Sequence, residues 1–396
     1  MLGRGGRESV ASVASGFADR HANFHTRGRY ALYEAYRLAG IGPQGALLAP
    51  AYHCRTMLDP AISLGGSVLL YALKENLAPD IDGLARMVAA QQQGDGDQPR
   101  IRALLLTHYF GFPQETEAIV AFCSEHGIVL IEDCSHACFG LSNGQVIGTI
   151  GDYAVASPYK FFPCEDGGML VANRGAAMPR QQPRAAGVVA ELRGIARVLV
   201  AARDRGRRRV DTRDLERLDD ELRALLARPQ LPQQQPLRLA RESEEEQSGC
   251  SALYSADEEG RAGLAVSRWV MRASNADAIA GRRRANYRAW LDGVAGLPNC
   301  RVLFPVLPEA CVPYMFPLYV EHPDPHFYLL KHLGVPIWRW DEMAVSAVSP
   351  CSVAADYRLH LIHLPCHQNL HHDELAWMMA AVAAVMRTPP ESVGAA

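Results

Sequence analysis

A lysine stands in an otherwise largely apolar, aromatic and glycine-rich stretch, SPYKFFPCEDGG, which occupies residues 157–168. Lysine is seldom buried without a partner, and its amine becomes a useful nucleophile where its surroundings lower its pKa. Lys160 is therefore either a surface residue whose amine reaches water or a reactive amine. The other residues that could take part in chemistry decide between these two interpretations.

Two further residues fit a reactive lysine. Asp133 directly follows the apolar segment GIVLIE, and Ser157 stands three residues before Lys160. Taken alone, Asp133 could hold a metal, act as a base or cap the next helix. Taken together, the three residues offer a Schiff-base lysine, a hydroxyl for a phosphate and a carboxylate for a pyridinium nitrogen. Pyridoxal phosphate (PLP) requires such a lysine and carboxylate, so the combination predicts a PLP site.

Apolar segments that resemble strands alternate with segments of helical spacing in the first half of the chain. The predicted strands are 46–49, 66–71, 101–107, 127–132, 153–156 and 169–172, and the predicted helices are 30–39, 80–90 and 115–126. Strands that are apolar along their whole length indicate a buried, largely parallel sheet. The chemistry of such sheets lies at the carboxyl ends of the strands. Residues 50–54, His108, Asp133 and Ser157 are expected to converge there.

The second half of the chain is predicted to form a smaller domain. A helix from residue 277 leads to strands at 314–320 and 361–364, and a helix at 373–387 ends the pattern. We therefore expect three parts, which are an N-terminal arm (1–25), a large PLP-binding domain (26–275) and a small C-terminal α+β domain (276–396).

Residues 190–250 form an atypical part of the predicted large domain. Its arginines between residues 193 and 228 accompany leucines at helical intervals. They could bind an anionic partner, but we favour a solvated helix with Asp/Glu–Arg pairs. The segments PQLPQQQPL and ESEEEQSG have the composition of exposed loops.

The composition argues against several other classes of protein. With 40 basic and 43 acidic side chains the formal net charge is −3, which argues against a nucleic-acid-binding protein. Ten cysteines without a C-x-x-C pair indicate reduced thiols, with Cys134 and Cys138 as small buried ones. No apolar run resembles a signal peptide or a membrane span, so we expect a cytoplasmic protein without membrane partners. We predict no metal, because no known ligand spacing fits the C-terminal histidines His360, His363, His367, His371 and His372.

Several segments resemble the DegT/DnrJ/EryC1/StrS aminotransferase family. IEDCSHACFG and GDYAVASPYKFFPCEDGGML are similar to its aspartate, lysine and glycine motifs, and RGRYALYEAYRLAGIGPQGALLAPAYHC to its opening helix and strand. LLLTHYFGFP, FPLYV and HLPCHQNLHHDELAWM resemble later parts of the family pattern. The resemblance covers residues 25–175 well and 275–390 loosely. It implies the α/β aspartate-aminotransferase-like PLP fold (type I), with a mainly parallel central sheet and a smaller C-terminal domain.

The resemblance implies a role for each matching residue. Lys160 would form the Schiff base with PLP and then move protons. Asp133 would pair with the pyridinium nitrogen, and His136 would lie near the cofactor ring. His108 would lie close to the site, and Ser157 would contact the phosphate.

The matching positions also show departures from the family pattern. The backbone at Gly28 and Arg29, where a helix begins, would help to hold the phosphate, but the family usually has Thr where Arg29 stands. A guanidinium there could add a charge contact. Cys54 occupies the position of the aromatic residue that usually stacks on the cofactor ring, and Tyr52 or His53 could substitute for it.

The resemblance implies a PLP-dependent aminotransferase that moves an amino group from an amino acid, with L-glutamate as the expected donor, to a keto group. The expected acceptor is a nucleotide-linked sugar or another biosynthetic intermediate, and a homodimer with a shared active site is expected. A lysine at position 160 argues against the family's sugar dehydratases, which have a histidine there. Two alternatives stay open, which are another PLP reaction on an amino-acid-derived substrate in specialised metabolism and a non-catalytic PLP-fold binding protein.

Overall fold

The computed structural model describes residues 14–17, 21–93, 98–204, 212–227, 249–340, 343 and 351–390. A seven-stranded sheet lies at the centre of the first half. Its strands are β1 (Asn23–His25), β2 (Gly45–Pro50), β3 (Ser67–Tyr71), β4 (Arg100–Thr107), β5 (Val129–Asp133), β8 (Tyr153–Ala156) and β9 (Gly168–Ala172), and the short strands β6 (Leu141–Ser142) and β7 (Gln145–Val146) form a hairpin before β8. The spatial order is β1-β9-β8-β5-β4-β2-β3. The five neighbouring strands β8, β5, β4, β2 and β3 pair in parallel. Strand β9 is antiparallel to both of its neighbours, β1 and β8.

Helix α1 (Gly28–Leu38) leads from the edge strand β1 to β2. Three further helices connect the parallel strands β2, β3, β4 and β5 in turn, namely α2 (Asp59–Ser63), α3 (Ile81–Gln93) and α4 (Glu117–His126). The buried side chains of α1 include Ala31, Leu32, Ala35 and Tyr36, a spacing of three to four residues that places one face of the helix against the core. Helix α4 ends at Gly127, whose φ of 63° is a left-handed C-cap that suits glycine.

The second half forms a three-stranded antiparallel sheet with helices around it. Strands β10 (Cys300–Val302), β11 (Met315–Val320) and β12 (Leu361–Pro365) pair in this order. The helices are α7 (Ala265–Ala273), α8 (Ala276–Val294), α9 (Pro323–His332), α10 (Ser352–His360) and α11 (His372–Met386). Helix α11 begins with a capping box, in which His371 accepts from the helix backbone and Glu374 accepts from the His371 N–H.

The described part of the arginine-rich region contains two helices, α5 (Val188–Asp204) and α6 (Thr212–Leu226). Helix α6 packs against α11 through three buried side chains, those of Leu218, Leu222 and Leu225. An Arg223–Asp220 ion pair of 3.0 Å lies on its exposed side, as the interpretation of a solvated face predicts. The segment PQLPQQQPL, and ESEEEQSG apart from Gly249, lie outside the described residues.

These elements confirm the predicted α/β fold with a mainly parallel central sheet. The hydrophobic core is continuous from the large sheet into α8 and α11, so the domain boundary at residue 275 stays a prediction. Within the described ranges, no helix combines the length and the apolar character needed to cross a membrane.

Candidate active site

The carboxyl ends of three neighbouring parallel strands open into a cavity of about 220 Å³. Thr107 ends β4, Asp133 ends β5 and Ser157 follows β8, which brings them to one edge of the sheet. Lys160 lies in the 3-10 turn after Ser157, and its backbone N–H donates to the Ser157 carbonyl at 3.0 Å. All four residues line the cavity, so the sheet assembles the predicted lysine, carboxylate and hydroxyl in one place.

An anion cradle, formed by Gly28, Ser135 and Ser157, lies at the beginning of α1. The Ser157 hydroxyl donates to the Ser135 hydroxyl at 3.0 Å. A Cβ atom at Gly28 would lie 2.1 Å from Ser157 Oγ, so only glycine leaves this space open. No side chain caps α1, and its first turn carries no acidic residue. The N–H groups and the dipole of the helix end are therefore available to a negatively charged ligand.

The environment of Lys160 favours its charged form in the absence of a ligand. Burial is the largest single effect and lowers the pKa of its amine, but Tyr159, Tyr314, Asp133 and Cys54 together outweigh it, so the pKa is raised overall. Lys160 Nζ lies 5.5 Å from the centre of the Tyr314 ring. The amine therefore must give up a proton before it can act as a nucleophile.

His136 lies beside the lysine and is neutral. Burial, followed by the charge of Lys160, lowers the pKa of this imidazole well below its usual value. Its ring lies 4.5 Å from the Tyr314 ring, at an interplanar angle of 30°. Among the described residues no hydrogen-bond partner reaches the buried His136 Nδ1 or the buried Thr107 Oγ1. Unpaired buried polar atoms are costly, so a bound polar ligand would satisfy them.

One wall of the cavity is aromatic, and the sequence patterns did not reveal it. The residues of this wall are Phe110, Tyr314, Trp338, Trp340 and His363. Phe110 is fully buried with a left-handed backbone (φ 55°), a strained conformation that often occurs at functional sites. The only sequence signal for Phe110 was its position three residues after the end of β4. The other four residues come from the second half of the chain, too distant in sequence for strand-end reasoning.

The carbonyl groups of the lysine turn are held by two side chains from the second half, Arg283 and Gln368. Arg283 Nη2 donates to the Lys160 carbonyl at 2.6 Å, and Gln368 Nε2 donates to the Phe161 carbonyl at 2.6 Å. Arg283 Nε also donates to Gln368 Oε1 at 2.7 Å. We call this pair the lysine-turn clamp. Arg283 is completely buried, and its guanidinium packs over the Phe161 ring at 4.6 Å.

His108 does not line the cavity, which corrects the position predicted for it. Gln114 N–H donates to His108 Nδ1 at 3.0 Å, so Nε2 carries the proton and donates to Glu132 at 3.2 Å. Its imidazole is fully buried and engaged beneath the cavity. The strand-end argument located the backbone of this residue correctly but gave no direction for its side chain.

Tyr52 and His53 are also absent from the cavity lining, so the structure does not place either of them where a cofactor ring would stack. His53 Nδ1 lies 3.0 Å from the carbonyls of Pro50 and Ala51. Tyr52 Oη lies 2.9 Å from His363 Nε2, and Tyr52 therefore orients a residue of the aromatic wall. Cys54 does line the cavity.

A cluster of His108, Glu132 and Cys134 has metal-ligand residue types, with ligand atoms within 4.8 Å of one another. However, Glu132 already accepts from three backbone N–H groups, those of Gly148, Ile150 and Gly151, and His108 uses both ring nitrogens. Burial raises the pKa of the Cys134 thiol well above its usual value, so the thiolate form that metals bind is disfavoured. These bonds account for the cluster as a structural network.

The sequence profile of the DegT/DnrJ/EryC1/StrS aminotransferase family matches residues 11–188. This part of the chain is similar to that family. The matched segment contains the anion cradle, Asp133 and Lys160, so the predicted resemblance is confirmed where the cavity's reactive groups lie.

Individual relatives show how far the similarity extends. A UDP-N-acetyl-3-dehydro-alpha-D-glucosamine 3-aminotransferase from Acidithiobacillus ferrooxidans is 28% identical over 178 residues, which are 43% of this chain and 45% of the relative. A dTDP-4-dehydro-2,3,6-trideoxy-D-glucose 4-aminotransferase from Saccharopolyspora spinosa is 31% identical over 152 residues, which are 38% of this chain and 37% of the relative. The chain thus matches less than half of the length of either relative.

The structural similarity extends over nearly the whole chain. A solved DegT DnrJ EryC1 StrS aminotransferase from Brucella abortus superposes with a TM-score of 0.60 at 16% identity, over 93% of this chain and 87% of that chain. At this identity the similarity establishes the fold alone. It confirms the type I PLP fold for the chain.

Proposed function

We propose that this protein is a PLP-dependent aminotransferase that moves an amino group from an amino acid, with L-glutamate as the donor, to a keto group of a nucleotide-linked sugar or related biosynthetic intermediate. The observation that carries the proposal is that Lys160, Asp133 and the anion cradle line one cavity. The printed names of the two relatives describe aminotransferases of nucleotide-linked sugars, which supports this acceptor class. The homodimer and the cytoplasmic location stay predictions.

The residues of the cavity fit PLP. The anion cradle offers two hydroxyls and a helix N-terminus to a phosphate, and Lys160 offers an amine for covalent attachment. One Asp133 oxygen accepts from the Ser135 N–H at 2.8 Å, which leaves the carboxylate capacity for a pyridinium N–H. When bound, PLP supplies an electron sink for the substrate carbanion.

The chain's own groups supply orientation and proton transfer. Lys160 Nζ carries the proton that must leave and return, a role that contributes about 10²–10⁴-fold to a rate. His136 is held neutral by burial, so it can accept or donate one hydrogen bond without adding a charge. Asp133 is buried, which strengthens the pairing of its carboxylate with a cationic nitrogen.

The absorbance spectrum of the PLP-loaded protein tests the proposal. The sequence contains three lysines, Lys74, Lys160 and Lys331, and Lys160 alone of them lines the described cavity. We expect a visible band in wild-type protein and in the Lys74→Ala control, absent in Lys160→Ala, that bleaches with L-glutamate. Borohydride reduction followed by peptide mapping should place the cofactor mass on Lys160.

The other outcomes of this experiment are equally informative. A band that depends on Lys160 but ignores L-glutamate and other amino donors would contradict transamination in favour of another PLP reaction. Cofactor mass on Lys74 or Lys331, or no Lys160-dependent band after PLP addition, would contradict the cofactor assignment itself.

The anion cradle makes a separate prediction for Gly28→Ala. The new Cβ would collide with the Ser157 hydroxyl and occupy the space proposed for the phosphate. We expect PLP affinity, measured by absorbance titration, to fall at least tenfold, which corresponds to about 1.4 kcal/mol. The matched control is Gly281→Ala in helix α8, where nothing lies within 4 Å of the new Cβ. That change should leave affinity unaltered and stabilise the helix by about 0.5–1 kcal/mol. Equal PLP affinities in the two variants would refute the proposed phosphate position.

A further inference from the structure

A second, larger cavity of about 840 Å³ adjoins the first, because Arg27 and Arg29 line both. We call it the arginine cavity. Its lining includes six arginines, namely Arg27, Arg29, Arg184, Arg193, Arg197 and Arg261. Its carboxylates are those of Glu165, Asp166 and Glu258. Most of these residues lie outside the strand ends that form the candidate active site.

The positive charges of this cavity are only partly balanced. Arg197 pairs with Glu165, and Arg261 pairs with Glu258 at 2.7 Å. No ion pair with a described carboxylate is recorded for Arg184 or Arg193. Six guanidinium groups therefore face three carboxylates, an excess that is unfavourable in a concave surface unless an anion enters.

The two other arginines use their side chains differently. Arg27 donates to the Glu165 carbonyl at 2.7 Å and lies over the Tyr159 ring at 4.7 Å. Arg29 donates to the Leu253 carbonyl. Carbonyl contacts orient a guanidinium without neutralising it, so both groups keep their full charge at the junction of the two cavities.

Backbone contacts fix the positions of the unpaired arginines. Arg184 forms a bridge with the Arg261 segment, in which its N–H donates to Gly260 and its carbonyl accepts from Ala262, both at 2.8 Å. The backbone of Arg184 is thereby fixed beside that of Arg261. Because Arg261 is paired with Glu258, Arg184 supplies the uncompensated charge at this position.

Helix α5 supplies the facing arginines, Arg193 and Arg197, which lie one turn apart on the same side. The helix is docked closely at this point, because a Cβ on Gly194 would lie 2.6 Å from Leu264 Cδ1. Glu191 of the same helix accepts from the Ala265 N–H at 2.7 Å. The arginine pair of α5 therefore has a defined position in the lining that it shares with Arg184.

We propose that the arginine cavity is a binding site for a phosphate-type oxyanion with two or more negative charges. A phosphate monoester carries about two charges at neutral pH, which suits an excess of this size, and guanidinium groups bind phosphate oxygens in bidentate geometry. The anion is either a group of the substrate of the adjoining site, in which case the inference rests on the proposed function, or a free oxyanion that acts on that site.

Calorimetric titration of the PLP-loaded protein with inorganic pyrophosphate tests the site without any turnover. We expect saturable binding that weakens as salt rises, since the contacts are ionic. In Arg184→Gln/Arg193→Gln the affinity should fall at least tenfold. The matched control is Arg217→Gln/Arg223→Gln on the exposed side of α6, which should bind like wild type. No saturable binding, or equal affinity in the two double variants, would overturn the proposal.

The glutamate half-reaction separates the two sources of the anion. If the anion is part of the keto acceptor, pyrophosphate should leave the rate of bleaching by L-glutamate unchanged. If it is a free effector, saturating pyrophosphate should change this rate in wild type and not in Arg184→Gln/Arg193→Gln. Because pyrophosphate binding is measured by heat, a failure of the half-reaction would count against the proposed function and leave the oxyanion site standing.

Discussion

The Arg283→Met variant is expected to lose about 3–5 kcal/mol of unfolding free energy. In the wild-type protein the Arg283 guanidinium is completely buried. It donates to the carbonyls of Pro313 and Tyr314 at 3.2 and 3.1 Å, and to the Lys160 carbonyl as part of the lysine-turn clamp. Methionine would leave these buried acceptors without donors, and each such group costs about 1–3 kcal/mol. Because the structure relaxes in part and water can enter, the loss of unfolding free energy should be smaller than the sum of these separate costs. The expected loss equals that seen when one partner of a buried ion pair is removed.

Two substitutions distinguish this mechanism from a general loss of arginine. Arg282→Met on the same helix removes a single exposed contact with the Leu370 carbonyl, 3.1 Å long, and should cost at most about 1 kcal/mol. Arg283→Lys keeps the charge but cannot reproduce the planar set of donors, so its stability should fall between wild type and Arg283→Met. Urea unfolding of the four proteins measures the ranking. A stability of Arg283→Met equal to that of Arg282→Met would contradict the clamp.

The protein is expected to lose stability steeply below about pH 6.5. The buried histidines include His25, His53 and His363. Burial lowers the pKa of His25 and of His53 to about 4, and that of His363 to about 3. The unfolded chain binds protons at these histidines near pH 6.5, whereas the folded chain does not. Stability is therefore full above pH 6.5 and falls as the pH drops toward 4.

The size of this effect follows from proton linkage. At pH 5 each such histidine removes about 2 kcal/mol of unfolding free energy, so the three together remove a large part of the 5–15 kcal/mol typical of a domain. Urea midpoints at pH 7.5, 6.5, 5.5 and 5.0 measure the slope. His25→Leu should reduce the dependence of unfolding free energy on pH by the equivalent of one proton. Leucine can replace this imidazole because neither His25 nitrogen has a partner among the described residues. His372→Asn, at an exposed position, should not. A flat profile would show that these imidazoles are not held neutral.

The buried carboxylate of Glu132 adds to the loss of stability at lower pH. Burial alone would raise the pKa of Glu132, but its bonds with His108 and with backbone N–H groups lower it overall. Its contribution to stability is present above the unfolded pKa of about 4.3 and disappears as the pH falls through the lower folded value. This term therefore follows the histidine effect in the acid range.

The reactive groups could be predicted from the sequence because they lie at strand ends. Asp133 ends β5 and Ser157 follows β8, and adjacent parallel strands place such residues at a common edge. The open start of α1 at Gly28 followed from helical spacing and the family resemblance. These inferences depend only on the local sequence and on the order of the strands in the sheet. They do not require knowledge of how the second half of the chain folds.

The remaining parts of the site depend on side-chain direction and on distant segments. Successive side chains of an extended segment point to opposite faces, so the strand-end position of His108 or Tyr52 did not decide which way it points. Trp340 and His363 reach the cavity from the second half of the chain, and Arg283 reaches the lysine turn from there. No periodicity in the sequence states which residues of the second half will face the first.

The left-handed turn at Phe110 determines how much of the chain must be synthesised before the cavity can form. Residues up to 275 contain Lys160, Asp133 and the whole anion cradle. The Phe110 carbonyl, however, accepts from the Tyr314 N–H at 2.7 Å, and the Gly111 carbonyl accepts from the Cys311 thiol at 2.8 Å. A conformation that costs about 1–3 kcal/mol is thus held by residues translated some 200 positions later. A nascent chain would therefore carry Lys160, Asp133 and the anion cradle long before it had the complete cavity.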